Sequence, residues 1–129
     1  MPPEESSYPD DWLRIARRDL RRAQNLLSMN DPEAAGFYLQ QAIEKFLKAY
    51  LLFSGWRLKR IHDLEILLDD ALGFDPGLEE FRTLCIQVAG YYMAERYPFV
   101  LQPGVEEEDV RQSLAEADKL IGRLEAQMT

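Results

Sequence analysis

Hydrophobic residues follow helical spacing along the whole chain, and the pattern is densest over residues 31–53. In that stretch apolar residues recur at steps of three and four and cover most of the circumference of a helix, at Ala35, Leu39, Ala42, Ile43, Phe46, Ala49, Tyr50 and Phe53. Asp31 and Pro32 mark the start, because the carboxylate caps free N–H groups and proline fits the first turn. The pattern therefore predicts a central helix that other helices surround.

Four further amphipathic segments predict helices over about 10–29, 63–72 and 78–94, and a last helix after the acidic run 106–109. The first two helices are joined by about three residues and are therefore predicted to be antiparallel neighbours. The last helix carries a heptad seam suited to packing on the bundle or on a second copy, at Val110, Leu114, Ala117, Ile121, Leu124 and Met128. The predicted fold is all-α: an antiparallel up-and-down four-helix bundle with a fifth, C-terminal helix, in one domain over 1–129 with its core at about 11–121.

Composition narrows the class of protein. No run of about 18 apolar residues is present, so no membrane span is expected. The acidic N-terminus lacks the basic and apolar regions of a signal peptide, which predicts a cytoplasmic protein. Cys85 lies in an apolar helical pattern and is interpreted as a small buried hydrophobe.

Charge is unevenly distributed along the chain, whose formal net charge is −8. Residues 1–60 hold ten basic and eight acidic side chains, whereas residues 61–129 hold five basic and fifteen acidic ones. This acidic excess disfavours binding to DNA. Five arginines nevertheless crowd one side of the first helix, where they either hold phosphates or an acidic partner or form a solvated face paired to the acidic second half: Arg14, Arg17, Arg18, Arg21 and Arg22.

One narrow polar line interrupts the apolar surface of the central helix. It has the spacing i, i+3, i+4 and i+7, with Gln40 beside it, and consists of Gln41, Glu44, Lys45 and Lys48. If these residues are exposed, each pair stabilises the helix by only a few tenths of a kcal/mol. Alternatively they form a polar strip at a dimer or ligand face, which His62, Asp63 and Arg96 reach from neighbouring helix ends.

Other chemical candidates lie at helix ends. His62 stands beside Asp63 at a predicted helix start, where capping or a bond to a loop carbonyl is expected ahead of proton transfer. Arg96 and Tyr97 precede a proline-restricted loop and either hold a phosphate or a base, or pair with an acidic helix and pack under the loop. The sequence contains no Gly-rich phosphate loop and no Cys/His metal spacing, so neither a cofactor nor a metal is expected.

Three motifs in order along the chain resemble the HEPN family of small helical bundles: QQAIEKFLKAYLLFSG at 40–55, IHDLEILL at 61–68 and YYMAERYP at 91–98. The resemblance implies an antiparallel bundle of four or five helices, frequent dimerisation and association with nucleic acids or nucleotides. Many members are RNA-cleaving toxins, and others are partners of small nucleotidyltransferases encoded by an adjacent gene.

The ribonuclease members of that family are similar in carrying an arginine, four to six residues and then a histidine, late in the bundle. Counted from Arg82 or Arg96, no histidine falls at a permitted position, and the Arg57–His62 pair precedes the third helix. We therefore predict a non-hydrolytic homodimer that binds a nucleotide, RNA or a partner nucleotidyltransferase in a toxin–antitoxin-like module. Two alternatives are a metal-independent ribonuclease that uses His62 and Arg96, and a structural adaptor that acts through the C-terminal helix.

Overall fold

The computed structural model describes residues 6–96 and 104–128, and for residues 93–96 it describes the backbone alone. It contains five α-helices: α1 (Pro9–Ser28), α2 (Pro32–Phe53), α3 (Leu64–Leu72), α4 (Arg82–Arg96) and α5 (Glu107–Ala126). No residue of the described ranges lies in a β-strand, which confirms the all-α prediction. No helix of these ranges combines the length and the apolar character needed to cross a membrane.

Helix α2 forms the centre of the fold, since it packs against each of the other four helices. It begins where the sequence predicts, with the Asp31 carboxylate accepting a hydrogen bond from the Ala34 N–H at 3.3 Å. The turn before it places Asn30 at a positive φ of 62°, a conformation that asparagine tolerates better than most residues. This short turn returns the chain on itself, so α1 and α2 pack along their lengths.

The apolar seam of α5 faces its own bundle. Val110, Leu114, Ala117, Ile121 and Leu124 are all buried in the core, and Met128 packs partly against it. Of the two interpretations of the heptad spacing, packing on the bundle is therefore the one that the structure shows.

The fourth helix begins later than the sequence pattern suggests. Residues Pro76–Phe81 form a 3₁₀ helix, and α4 starts at Arg82. Leu78 and Phe81 are nevertheless buried, because the three-residue turn of a 3₁₀ helix brings residues at i and i+3 to the same side. A step of three is common to both helix types, so the hydrophobic pattern did not distinguish them.

Tyr91 packs directly on the backbone of α2. The spacing pattern selected Tyr92 as the inward residue of α4, but Tyr91 is buried and Tyr92 is half-buried. Gly36 accounts for this arrangement, because a Cβ atom at that position would lie only 2.9 Å from Cβ and Cγ of Tyr91. The Tyr91 hydroxyl lies 2.9 Å from the Ser113 hydroxyl, which ties α4 to α5.

The arginine face of α1 is exposed, but only part of it pairs as expected. Arg17 contacts Glu125 of α5 at 2.7 Å, in agreement with the prediction that the acidic second half supplies the partners. Arg18 and Arg22 instead lie 3.7 and 3.6 Å from Asp19 of their own helix. Pairing within α1 is thus the main difference from the expected arrangement.

Cys85 is buried, as its apolar setting predicted. Burial raises the pKa of its thiol to about 12, because the thiolate would lose its hydration in the core. The side chain therefore stays protonated and packs as a hydrophobe.

Asp75 joins the turn after α3 to the last helix. The Arg123 guanidinium donates to both oxygens of its carboxylate, at 2.8 and 2.9 Å, and Gln127 donates at 2.8 Å. The hydrogen bonds from Arg123 are the largest cause that lowers the pKa of Asp75, which falls from 3.8 to about 2. Folding therefore favours the ionised form of this carboxyl group.

We expect Asp75→Asn to lower the free energy of unfolding near neutral pH by about 1–2 kcal/mol, allowing for partial screening by solvent. Below the ordinary pKa of 3.8 the unfolded chain binds a proton that the folded chain does not, so the contribution falls as the pH approaches about 2. Urea unfolding measured from about pH 7 to about pH 3 should show the two proteins converging. The control is Asp118→Asn, at an exposed position of α5. A difference that stays constant with pH would contradict this assignment.

Candidate functional site

A cleft of about 470 Å³ opens between α2, the start of α3 and α4. Its volume lies in the range of small-molecule sites. The residues that line it are Phe37, Gln40, Gln41, Glu44, His62, Asp63, Leu64, Ala89 and Tyr92. We call it the α2–α4 cleft.

Aromatic rings form one part of the cleft lining. The rings of Phe37 and Tyr92 are stacked, with centroids 5.6 Å apart and planes 24° apart. Tyr38 meets Phe37 edge-on at 5.3 Å but does not line the cleft. Phe37 and Tyr92 are both half-buried and so offer aromatic surface to a planar ligand.

Glu44 is the polar centre of the cleft. Its carboxylate is only 4% exposed and accepts hydrogen bonds from Gln40 at 3.3 Å and from Lys48 at 3.1 Å. His62 Nδ1 lies 2.9 Å from the same carboxylate. The Lys48 ammonium is 1% exposed and sits 4.9 Å from the centroid of the Trp12 ring. Two buried opposite charges thus compensate each other beneath the cleft.

A chain of hydrogen bonds extends from this centre to α1. Lys45 Nζ donates to Asp19 at 2.9 Å and to Gln41 Oε1 at 3.0 Å. Gln41 Nε2 in turn donates to Gln40 Oε1 at 2.6 Å. We define the polar network as Asp19, Gln40, Gln41, Glu44, Lys45, Lys48 and His62. No buried side-chain nitrogen or oxygen of the described residues lacks a hydrogen-bond partner.

Four of the predicted site residues line the cleft: Gln41, Glu44, His62 and Asp63. Lys45 and Lys48 do not line the cleft. Lys45 donates to Gln41 and Lys48 donates to Glu44, so both lysines contact residues that do. The interpretation of Glu44 and Lys48 as surface residues is wrong, because both are buried and the Trp12 ring of α1 contacts the Lys48 ammonium. Periodicity within one helix did not reveal that a neighbouring helix covers its polar line.

The expected capping role of His62 is also wrong. Asp63 caps α3 instead, since its Oδ1 accepts from the backbone N–H groups of Glu65 at 2.9 Å and Ile66 at 3.2 Å. His62 turns to Glu44, while its side chain remains 68% exposed. The imidazole is therefore held at one nitrogen and open to solvent over most of its surface.

The predicted Arg96–Tyr97 corner lies outside the described side chains. Arg96 is the last residue of α4, and nothing beyond its backbone is described. Tyr97 lies wholly outside the described residues. Their role therefore stays a prediction from the sequence.

Sequence reasoning did not assign the aromatic residues Phe37 and Tyr92 to the site. Each residue follows the apolar spacing of its own helix, Phe37 in α2 and Tyr92 in α4. The available signal for Phe37 was its position four residues before Gln41, which places it beside the polar line of α2. Tyr92 lies in α4, and the spacing within that helix carries no such signal. Within the described residues, no group of three or more His, Cys, Asp or Glu side chains is arranged to hold a metal ion.

Comparison with known proteins gives two agreeing matches. A family model described as HEPN domain matches residues 9–127. The structure is similar to the crystal structure of an archaeal HEPN homologue, with a TM-score of 0.74 and 28% sequence identity, over 95% of this chain and 98% of that chain. Comparison with curated proteins gave no match.

Proposed function

The chain belongs to the HEPN domain family, and from that premise we propose that it is a non-hydrolytic member that binds a single nucleotide in the α2–α4 cleft. The observation that carries this proposal is the stacked Phe37–Tyr92 pair, which lines the same cleft as the polar network. A nucleobase needs both kinds of surface, because its faces stack on aromatic rings while its edge makes hydrogen bonds.

The surroundings of the cleft also suit a nucleotide. Its volume accommodates one small ligand, and the overall charge of −8 disfavours a long polyanion. Arg57, Lys59 and Arg60 are exposed in the loop that leads to His62. Lys59 lies 3.3 Å from Asp70. The exposed Arg57 adds positive charge to the loop that adjoins the cleft at His62, which favours a phosphate group there.

Cleavage of RNA without a metal is a second candidate function, and one contact favours it. The buried Glu44 carboxylate lies 2.9 Å from Nδ1 of the exposed His62, as in enzymes where a carboxylate orients a general base. The late Arg-to-His motif of the family's ribonucleases is missing here, however. Arg96, which this alternative assigns to the phosphate, has no described side chain. Nucleotide binding is therefore our first proposal.

We further propose that the chain forms a homodimer through α3 and α4. Ile66 and Ile86 are 46% and 52% exposed, and Glu65 contacts Arg82 at 3.3 Å, one turn before Ile86. The salt bridge joins α3 to α4, and the exposed isoleucine that each helix carries is apolar surface of the kind that partners cover. A nucleotidyltransferase partner in a toxin–antitoxin-like module rests on the family resemblance. The adaptor alternative has least support, because the α5 seam is buried in its own bundle.

We expect Tyr92→Leu to weaken nucleotide binding about 5- to 150-fold, because base–aromatic stacking contributes about 1–3 kcal/mol per base. Isothermal titration calorimetry with the four nucleoside monophosphates measures this change directly. Tyr38→Leu is the matched control. It also removes a half-buried tyrosine in contact with Phe37, but one outside the cleft, and it should change affinity less than about threefold.

The proposal fails if the wild-type protein binds none of the four nucleotides at millimolar concentration. Incubation of the same preparations with RNA separates the second candidate, since cleavage that disappears in His62→Ala would favour a ribonuclease. Sedimentation velocity of the wild-type protein gives the oligomeric state, and a monomer at all concentrations would contradict the proposed dimer.

A further inference from the structure

The direction of every hydrogen bond in the polar network is set by its charged ends. Lysine ammonium groups only donate and carboxylates only accept. Lys45 donates to Gln41 Oε1, so the amide nitrogen of Gln41 must face Gln40. Gln40 accepts there with Oε1 and donates with Nε2 to Glu44. Reversing the Gln41 amide would place its NH₂ group against an ammonium group, so these orientations follow from the network itself.

The same reasoning assigns the proton on His62. Glu44 is ionised, because the buried Lys48 ammonium needs its counter-charge. An imidazole nitrogen 2.9 Å from an ionised carboxylate carries a hydrogen, so Nδ1 of His62 is the donor. In the neutral ring Nε2 then presents a lone pair. His62 thus adds an acceptor at the mouth of the cleft.

Hydrogen-bonding capacity remains on the groups that line the cleft. Glu44 accepts from three donors and has about four acceptor positions, so one is left. Asp63 uses Oδ1 to cap α3, and no described residue donates to its Oδ2. The Gln41 NH₂ group donates one of its two hydrogens to Gln40 and keeps the other. The cleft therefore offers two carboxylate acceptors and an amide donor.

Among the nucleobases, guanine has the complementary edge. Its N1–H and 2-amino groups are adjacent donors, and its O6 next to them is an acceptor. Adenine and cytosine can donate their amino group to one carboxylate but would direct a ring-nitrogen lone pair at the other. Uracil can donate its N3–H to one carboxylate but would direct a carbonyl oxygen at the other. Each of these contacts leaves a buried polar group without a partner or brings like charges together.

On the premise that the cleft binds a nucleotide, we infer that it selects guanine. Glu44 and Asp63 accept from N1–H and the 2-amino group, and the free Gln41 N–H donates to O6. The base stacks on the Phe37–Tyr92 pair. Because the guanine base is neutral, the two carboxylates attract its edge without repelling it, while the phosphate lies outside the acidic part of the cleft.

The test compares GMP, IMP and AMP by isothermal titration calorimetry. GMP should bind about 10- to 100-fold more tightly than AMP, and IMP, which lacks the 2-amino group, should lie between them. Asp63→Asn replaces the free acceptor with an NH₂ donor and retains a good helix cap. This variant should lower the affinity for GMP about tenfold and leave the affinity for AMP unchanged or increased. Asp31→Asn makes the same change at the cap of α2, away from the cleft, and should leave the preference intact.

Each remaining outcome contradicts the inference in a different way. Equal affinity for all bases overturns guanine selection, and a GMP-to-AMP affinity ratio that Asp63→Asn leaves unchanged overturns the recognition assigned to Asp63. Both results leave the nucleotide site standing. No binding of any nucleotide by the wild-type protein overturns the proposed function together with this inference. The calorimetric experiment therefore distinguishes the two failures.

Discussion

Glu44→Met lowers the free energy of unfolding by about 3–5 kcal/mol, because it leaves the Lys48 ammonium buried without a counter-charge. Lys48 is 1% exposed, and its only salt bridge among the described residues is to Glu44, at 3.1 Å. The Trp12 ring offers the ammonium weaker compensation through its π face. Urea denaturation followed by circular dichroism, with linear extrapolation to water, measures the loss.

Two further variants make that result specific. The double substitution Glu44→Met with Lys48→Met removes both charges and should recover most of the lost stability, because apolar side chains of similar size tolerate the same site. Glu116→Gln breaks an exposed pair with Lys119 and should cost less than about 0.5 kcal/mol. A double variant no more stable than Glu44→Met alone would show that lost packing, and not the unpaired ammonium, causes the effect.

Gly36→Ala lowers the free energy of unfolding by about 1–3 kcal/mol, because the new methyl group meets the Tyr91 ring at 2.9 Å. The ring cannot easily withdraw, since its hydroxyl bonds both Ser113 and Gln87. Helix α4 must then move away from α2. Thermal or urea unfolding of the purified variant detects the change.

The matched control substitution is in α4, at the residue before Tyr91. Gly90→Ala adds a methyl group to an exposed position of α4 with no atom within 4 Å, so it should raise stability by about 0.5–1 kcal/mol through helix propensity. Equal effects of the two substitutions would refute the close packing of Tyr91 on Gly36. Because Tyr91 adjoins Tyr92, Gly36→Ala should also weaken ligand binding in the cleft.

Much of the fold could be predicted because its signals are local. Asp31 and Pro32 identify the start of α2, and the α5 seam identifies the face that is buried. The 3₁₀ helix before α4 was missed, since Leu78 and Phe81 have the same spacing in either type of helix. Helix type there depends on backbone hydrogen bonds that the hydrophobic pattern does not encode.

The candidate site was predictable in part, for a different reason. Gln41, Glu44, His62 and Asp63 were identified from polarity at helical spacing and at a helix start, and the structure brings them together in one cleft. The role of Lys48 was not predictable, because it depends on Trp12, which approaches from another helix. A line of polar residues has the same sequence pattern whether it is exposed to solvent or covered by a neighbouring helix.

The burial of Lys48 against Glu44 has an evolutionary consequence. Loss of either charge alone destabilises the protein, so a lineage is expected to keep both or to exchange both for apolar residues. Such paired retention would persist in relatives whose cleft no longer binds a ligand. Invariance of Glu44 among homologues would therefore report selection for a folded chain. Variation at Tyr92, or exchange of Asp63 for another residue that caps a helix, would record whether the ligand has been kept.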